Sequence, residues 1–159
     1  MKKLGRFISL VSMLALVLAA AAAWAQPGMG PGRGQGRGWG AGDPYNRMYN
    51  PKTVETLSGE VVKVDKFTPG KGMSYGVHFT LKTEKETISV HLGPGWYVDQ
   101  QEVKPAAGDR VEVTGSRVTY EGQPAIIAAQ VKKDGKTLQL RDANGVPAWA
   151  GAGRRAPQR

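Results

Sequence analysis

Between Thr53 and Leu140 the apolar residues fall in short β-branched runs that alternate with polar residues and are repeatedly cut by glycine. Nowhere in this stretch does a helical apolar period persist beyond about two turns. That pattern constrains the chain more than any other feature, because it commits the body to sheet.

The runs read as five principal strands. The first spans about Val54 to Phe67, and its apolar parity shifts between Leu57 and Val62, which places a bulge or strong bend at Gly59-Glu60. Thr68 to Gly72 is a turn. The second strand carries Tyr75, Val77, Phe79 and Leu81 on one face, with Gly76, His78, Thr80 and Lys82 on the other. The third points Ile88, Val90 and Leu92 inward, with Thr87, Ser89 and His91 outward. Thr83 to Glu86 forms the loop between them, and Gly93-Pro94-Gly95 ends the third strand. A short helix is expected over Trp96–Glu102, before the Gly108-Asp109 turn. The fourth strand covers Arg110 to about Tyr120, with a bend at Gly115, and the fifth covers Ala125 to Lys132. Asp134-Gly135 is a type I′ hairpin signal that sets Val131 opposite Leu138 and Ala129 opposite Leu140. The fold class is therefore all-β. It reads as a five-stranded OB-fold-like barrel with a short helix between strands three and four and a C-terminal hairpin extension, the position of the helix favouring this over another small β-barrel or sandwich.

Leu57-Ser58-Gly59-Glu60-Val61-Val62-Lys63-Val64 and Gly108-Asp109-Arg110-Val111-Glu112-Val113-Thr114-Gly115-Ser116, followed by Ile126 to Val131, resemble the first, fourth and fifth strands of bacterial exported OB-fold proteins. These include the bacterial OB-fold (BOF-like) family of periplasmic stress-associated proteins. The resemblance covers roughly Leu57 to Leu140. It implies an exported barrel that binds a small ligand or a partner, and it carries over no catalytic residues.

The flanks read differently. Lys2, Lys3 and Arg6 precede an uncharged apolar run from Phe7 to Ala23, and Ala23-Trp24-Ala25 has the small-x-small form of a signal-peptidase site. Residues 1–25 are thus expected to be a signal peptide cleaved after Ala25, delivering the protein to the periplasm or the exterior. Every even position from Gly28 to Gly42 is glycine, so residues 26–51 are expected to be a disordered Gly/Pro/Arg-rich spacer. Its last part, Asp43 to Pro51, is expected to dock loosely onto the domain at 52–142, and residues 143–159 form a C-terminal tail.

The formal net charge of +9 invites a nucleic-acid reading, yet the residues from Lys52 to Asp142 hold 13 basic and 12 acidic groups. The basicity sits at the ends, where Arg33, Arg37, Arg154 and Arg155 are the candidate polyanion contacts. The chain contains no cysteine, which excludes disulfides, thiolate metal sites, cysteine nucleophiles and covalently attached haem.

The strand pattern also brings the two histidines together. Closing the second and third strands on their four-residue loop pairs Lys82 with Thr87, Phe79 with Val90 and Val77 with Leu92, and sets His78 directly opposite His91. Opposed Cβ atoms lie about 4.5–5.5 Å apart, close enough for two imidazoles to share Zn²⁺, Cu²⁺ or Ni²⁺. His78 and His91 are the candidate metal ligands, and a divalent metal ion is the one candidate cofactor. A third ligand would come from a carboxylate on a neighbouring strand or from a partner, and no spacing identifies one. The competing reading is two solvent-facing histidines on a barrel wall. Tyr75, Trp96 and Tyr97 join the histidines as candidate ligand-binding residues, although Trp96 and Tyr97 also suit a plug at the barrel bottom. No nucleophile–base or phosphate-loop motif appears. The reading is a non-enzymatic exported module binding a small ligand, a metal ion or an envelope partner. The alternative is a single-stranded nucleic-acid or polyanion binder that uses the strand two–three face and the arginine-bearing tails.

Overall fold

The computed structural model describes residues 38–151. Six strands follow one another in this region: β1 (Val54–Phe67), β2 (Gly76–Lys82), β3 (Thr87–Pro94), β4 (Arg110–Tyr120), β5 (Gln123–Lys133) and β6 (Lys136–Gln139). Their order in the sheet is β3-β2-β1-β4-β5-β6, all antiparallel neighbours. A parallel pairing of Ser89–His91 with Ala125–Ile127 joins β3 to β5 and closes the ring. This is the OB-like barrel expected from the strand pattern, with β6 as the hairpin extension. Val61, Phe79, Leu81, Val90, Val113, Ile126 and Val131 fill it and are wholly buried; each such side chain contributes about 1.5–3 kcal/mol relative to exposure.

Several local expectations are met residue for residue. β1 has the expected limits. Asp134 and Gly135 both take positive φ, and Val131 lies opposite Leu138. The bend at Gly115 coincides with a register shift in the β4–β5 pairing, and a Cβ there would be driven into the Ile127 carbonyl oxygen.

Others are corrected. The bulge of β1 falls between Val61 and Lys63 rather than at Gly59-Glu60. Gly59 serves instead to let β1 pass close to β2, since a Cβ would collide with the Lys82 carbonyl. Val77 pairs with Gly93, not Leu92, because the β2–β3 register shifts between Val77 and His78. The helix, α1, is the single turn Gly95–Val98. With no side-chain cap at Pro94 and only four residues, it has little to propagate it toward Glu102.

The larger difference lies at the edges of the domain. Trp39, Tyr45, Asn46 and Tyr49, read from sequence as spacer and loosely docked segment, are buried in the core. Residues 38–50 form a strap across the β2–β3 side of the barrel. Trp39 Nε1 donates to the Ser74 carbonyl at 3.0 Å, and the Trp39 carbonyl accepts from Trp149 Nε1 at 2.7 Å. Trp149, assigned to the C-terminal tail, is buried too. The indoles of Trp39 and Trp149 meet edge to face, which ties the two flanks together. Burying a large indole offsets the entropy of ordering the glycines beside it. Residues 1–37 and 152–159 lie outside the described residues. The expected signal peptide and its cleavage point, Arg33, Arg37, Arg154 and Arg155 fall there.

Candidate functional site

The β2–β3 turn fixes the geometry of the site. Thr83 Oγ1 accepts from the backbone N–H groups of Lys85 and Glu86 and donates to the Glu86 carbonyl. This small cage sets Lys82 opposite Thr87 and, four residues further along β2, His78 opposite His91. The expected juxtaposition is present, with ring centroids 5.6 Å apart.

The two imidazoles nevertheless occupy different environments. His91 is only 2% exposed, so it is not a solvent-facing wall residue. Tyr45 of the strap covers it, with Tyr45 Oη 2.8 Å from His91 Nδ1 and the two rings stacked. Phe67 from β1 and Tyr120 from β4 pack against the same imidazole, at 4.5 and 4.8 Å between centroids. Burial pushes the His91 pKa down to about 3, with His78 and Arg141 adding to the shift, so the ring is neutral near pH 7. Burial also raises the Tyr45 phenol well above its ordinary value, with Arg141 partly opposing it.

His78 is partly exposed, and desolvation lowers its pKa against the opposing pull of Asp65. Its Nδ1 is 3.0 Å from Ser89 Oγ, and Phe67 stacks on it at 5.0 Å. Asp65 stands directly opposite on β1, with Oδ2 4.0 Å from His78 Nε2. A hydrogen bond from Lys63 at 2.9 Å keeps the Asp65 carboxyl below its usual range. Both histidines therefore have Nδ1 engaged by a hydroxyl. Neither Nε2 has a hydrogen-bond partner among the described residues.

His78 and His91 share a pocket of about 350 Å³ with Phe67, Ser89, Tyr120 and Glu121. Glu121 opens the β4–β5 turn at φ +49°, a conformation unusual for a residue other than glycine, asparagine or aspartate. Among the described residues no group of three His, Asp or Glu side chains is gathered closely enough to hold a metal ion as it stands.

The other sequence candidates lie elsewhere. Tyr75 donates to Asp99 Oδ2 at 2.7 Å, and Lys66 Nζ sits over its ring at 4.6 Å. Trp96 and Tyr97 pack edge to face against one another and lie against the core, and Tyr97 also meets Trp149. These three are not part of the histidine pocket's lining.

Sequence reasoning missed Phe67 and Tyr120 as walls of the pocket and Tyr45 as the cover of His91, and it missed Arg141. That arginine is 1% exposed and has no carboxylate partner among the described residues. Its guanidinium donates to the carbonyls of Leu92 and Ala128 at 3.0 and 2.6 Å and reaches Asn46 Oδ1 at 3.4 Å. It also lies 4.8 Å from the Trp149 ring, and burial lowers its pKa to about 10. Arg141 thereby clamps β3, β5, the strap and the C-terminal segment together. The two tyrosines and one tryptophan inside a glycine- and turn-rich flank were the available signal that this flank packs.

No helix among the described residues is long and apolar enough to cross a membrane. Residues 53–138 match the MamS/MamX magnetosome protein family, which differs from the exported OB-fold family that the strand motifs resemble. Such motifs encode a closing barrel, and barrels of this kind serve unrelated lineages. No curated protein matches the chain.

Proposed function

The chain belongs to the MamS/MamX magnetosome protein family, and we propose that it acts there as an exported, non-enzymatic β-barrel module that binds a divalent transition-metal ion at His78 and His91. The observation that carries this reading is the pair itself. Two imidazoles lie opposite one another and line a common pocket, each with Nδ1 held by a hydroxyl and, among the described residues, no hydrogen-bond partner on Nε2. Metal-bound histidines characteristically have their second nitrogen fixed in this way, because that bond sets the ring orientation. Both pKa values are depressed, so near neutral pH an incoming ion has little proton to displace. Imidazole nitrogen favours Zn²⁺, Cu²⁺ and Ni²⁺ over Mg²⁺ or Ca²⁺.

The strap supports this reading over nucleic-acid binding. Tyr45 and Trp39 lie across the barrel side that OB-folds commonly offer to oligonucleotides, leaving a pocket sized for an ion or a small molecule. Export is the expectation carried by the apolar N-terminal run.

The test is a titration of the chain from Gln26 onward with Zn²⁺ and Cu²⁺, followed through the histidine ring NMR signals. Both rings are expected to respond together and to saturate at one ion per chain, with Mg²⁺ inert. Ring signals that stay unmoved at millimolar Zn²⁺ and Cu²⁺ contradict the proposal.

A further inference from the structure

Two imidazoles make half a metal site, and the strand register supplies a third donor. Asp65 on β1 is directly opposite His78 on β2, and His78 is directly opposite His91 on β3. The three residues form one row across three adjacent strands and share a face of the sheet. We infer that Asp65 is the carboxylate ligand that completes this row as a His-His-Asp cation site, an inference that rests on the pocket reading above.

The distances suit this role after a small movement. Asp65 Oδ2 is 4.0 Å from His78 Nε2. Two ligand atoms about 2.0–2.1 Å from one tetrahedral ion stand roughly 3.3 Å apart, so a side-chain shift of about 0.7 Å brings them within range. The imidazole centroids, 5.6 Å apart, are already near the roughly 5 Å expected of two rings on one tetrahedral ion. Asp65 and His91 are two strand spacings apart, about 9.6 Å. A carboxylate and an imidazole leaning toward the middle strand span that gap with two metal–ligand bonds of about 2 Å each.

What Asp65 must give up is modest. Its present partner is Lys63, two residues away on the same strand, and both side chains of that ion pair are well exposed. Exposed pairs of this kind contribute little net free energy, so an ion can draw the carboxylate away. The row also accounts for the lack of a gathered triad among the described residues, because Asp65 and His91 stand two strands apart and Lys63 holds Asp65 Oδ2 until a cation competes for it. The site then has three protein ligands and an open position facing the pocket, an arrangement that leaves room for water or a small anion on the ion.

Glu121 lines the histidine pocket, whereas Asp65 stands beside its lining and approaches it through His78; Glu121 is therefore the competing carboxylate, and the test separates the two. Zn²⁺ binding is measured calorimetrically on the chain from Gln26 onward and on Asp65→Asn, Asp65→His and Glu121→Gln, with amide NMR spectra confirming that each folds. Asp65→Asn is expected to weaken binding at least tenfold, and Asp65→His to restore it to within about threefold by supplying a neutral nitrogen ligand. Glu121→Gln should stay within twofold. Rescue by histidine separates ligation from a charge effect, since imidazole restores no negative charge. Asp65→Asn binding as tightly as the unsubstituted chain, or Glu121→Gln carrying the loss instead, overturns the assignment of Asp65 and leaves the pocket reading standing. No binding by the unsubstituted chain overturns both.

Discussion

At the scale of single residues, acid acts on His91. Its pKa falls from an ordinary 6.5 to about 3 in the folded protein because burial disfavours the charged ring. In the unfolded chain the same imidazole takes up a proton near pH 6.5. The unfolded state therefore binds more protons between these values, and acid favours it. The contribution of neutral His91 is fully present above pH 6.5, declines by about 1.4 kcal/mol per pH unit below that, and levels off near pH 3. Urea unfolding from pH 7.5 to 4.5 should show this slope, and His91→Gln should flatten it. An unchanged slope in His91→Gln would assign the acid sensitivity to another group. The opposition of His78 and His91 was legible in the sequence because a four-residue loop and a two-residue side-chain period fix which residues face each other. The burial of His91 was not. Alternation shows which side of a strand a residue faces, and what covers that side here is Tyr45, 46 positions away in the chain.

At the scale of elements, the strap is the part of the fold that sequence reasoning misjudged. Alternating glycine from Gly28 to Gly42 signals a high ordering entropy, which is a sound reason to expect a spacer. It fails from Gly38 onward because Trp39 buries almost its whole side chain and is held by hydrogen bonds on both its indole and its carbonyl. The helix expected over Trp96–Glu102 errs in the opposite direction, since only the single turn Gly95–Val98 forms. Trp39→Ala should destabilise the domain by about 3–5 kcal/mol, the usual range for deleting a buried indole, as measured by urea unfolding. The same substitution loosens Tyr45, whose ring packs edge-on against Trp39 at 5.2 Å. The His91 pKa read by NMR should therefore rise toward its ordinary value. A strap that merely rests on the surface would show neither effect.

At the scale of the whole molecule, the sheet order, the parallel closure of β3 on β5 and the extra hairpin determine where a site can form. The barrel interior is filled with apolar side chains, so chemistry is left to the outer face of β1, β2 and β3, and there the protein places both of its histidines. Fold class and strand limits were legible because glycine turns and β-branched runs are local signals. The site was legible only in part, because its walls include Phe67 at the end of β1 and Tyr120 at the end of β4, and Tyr45 of the strap covers His91. Barrel closure brings these together, and no spacing along the chain records it. The absence of cysteine sharpens the outcome, since it leaves these imidazoles as the only strong neutral nitrogen ligands among the side chains. The most direct test of the proposed metal site is a crystal structure of the chain from Gln26 onward grown with Zn²⁺, with anomalous diffraction recorded at the zinc edge. The account predicts a single strong anomalous peak about 2.0–2.1 Å from Nε2 of both His78 and His91. A crystal in which zinc binds elsewhere, while the two imidazoles keep Nε2 free in the pocket, would contradict it.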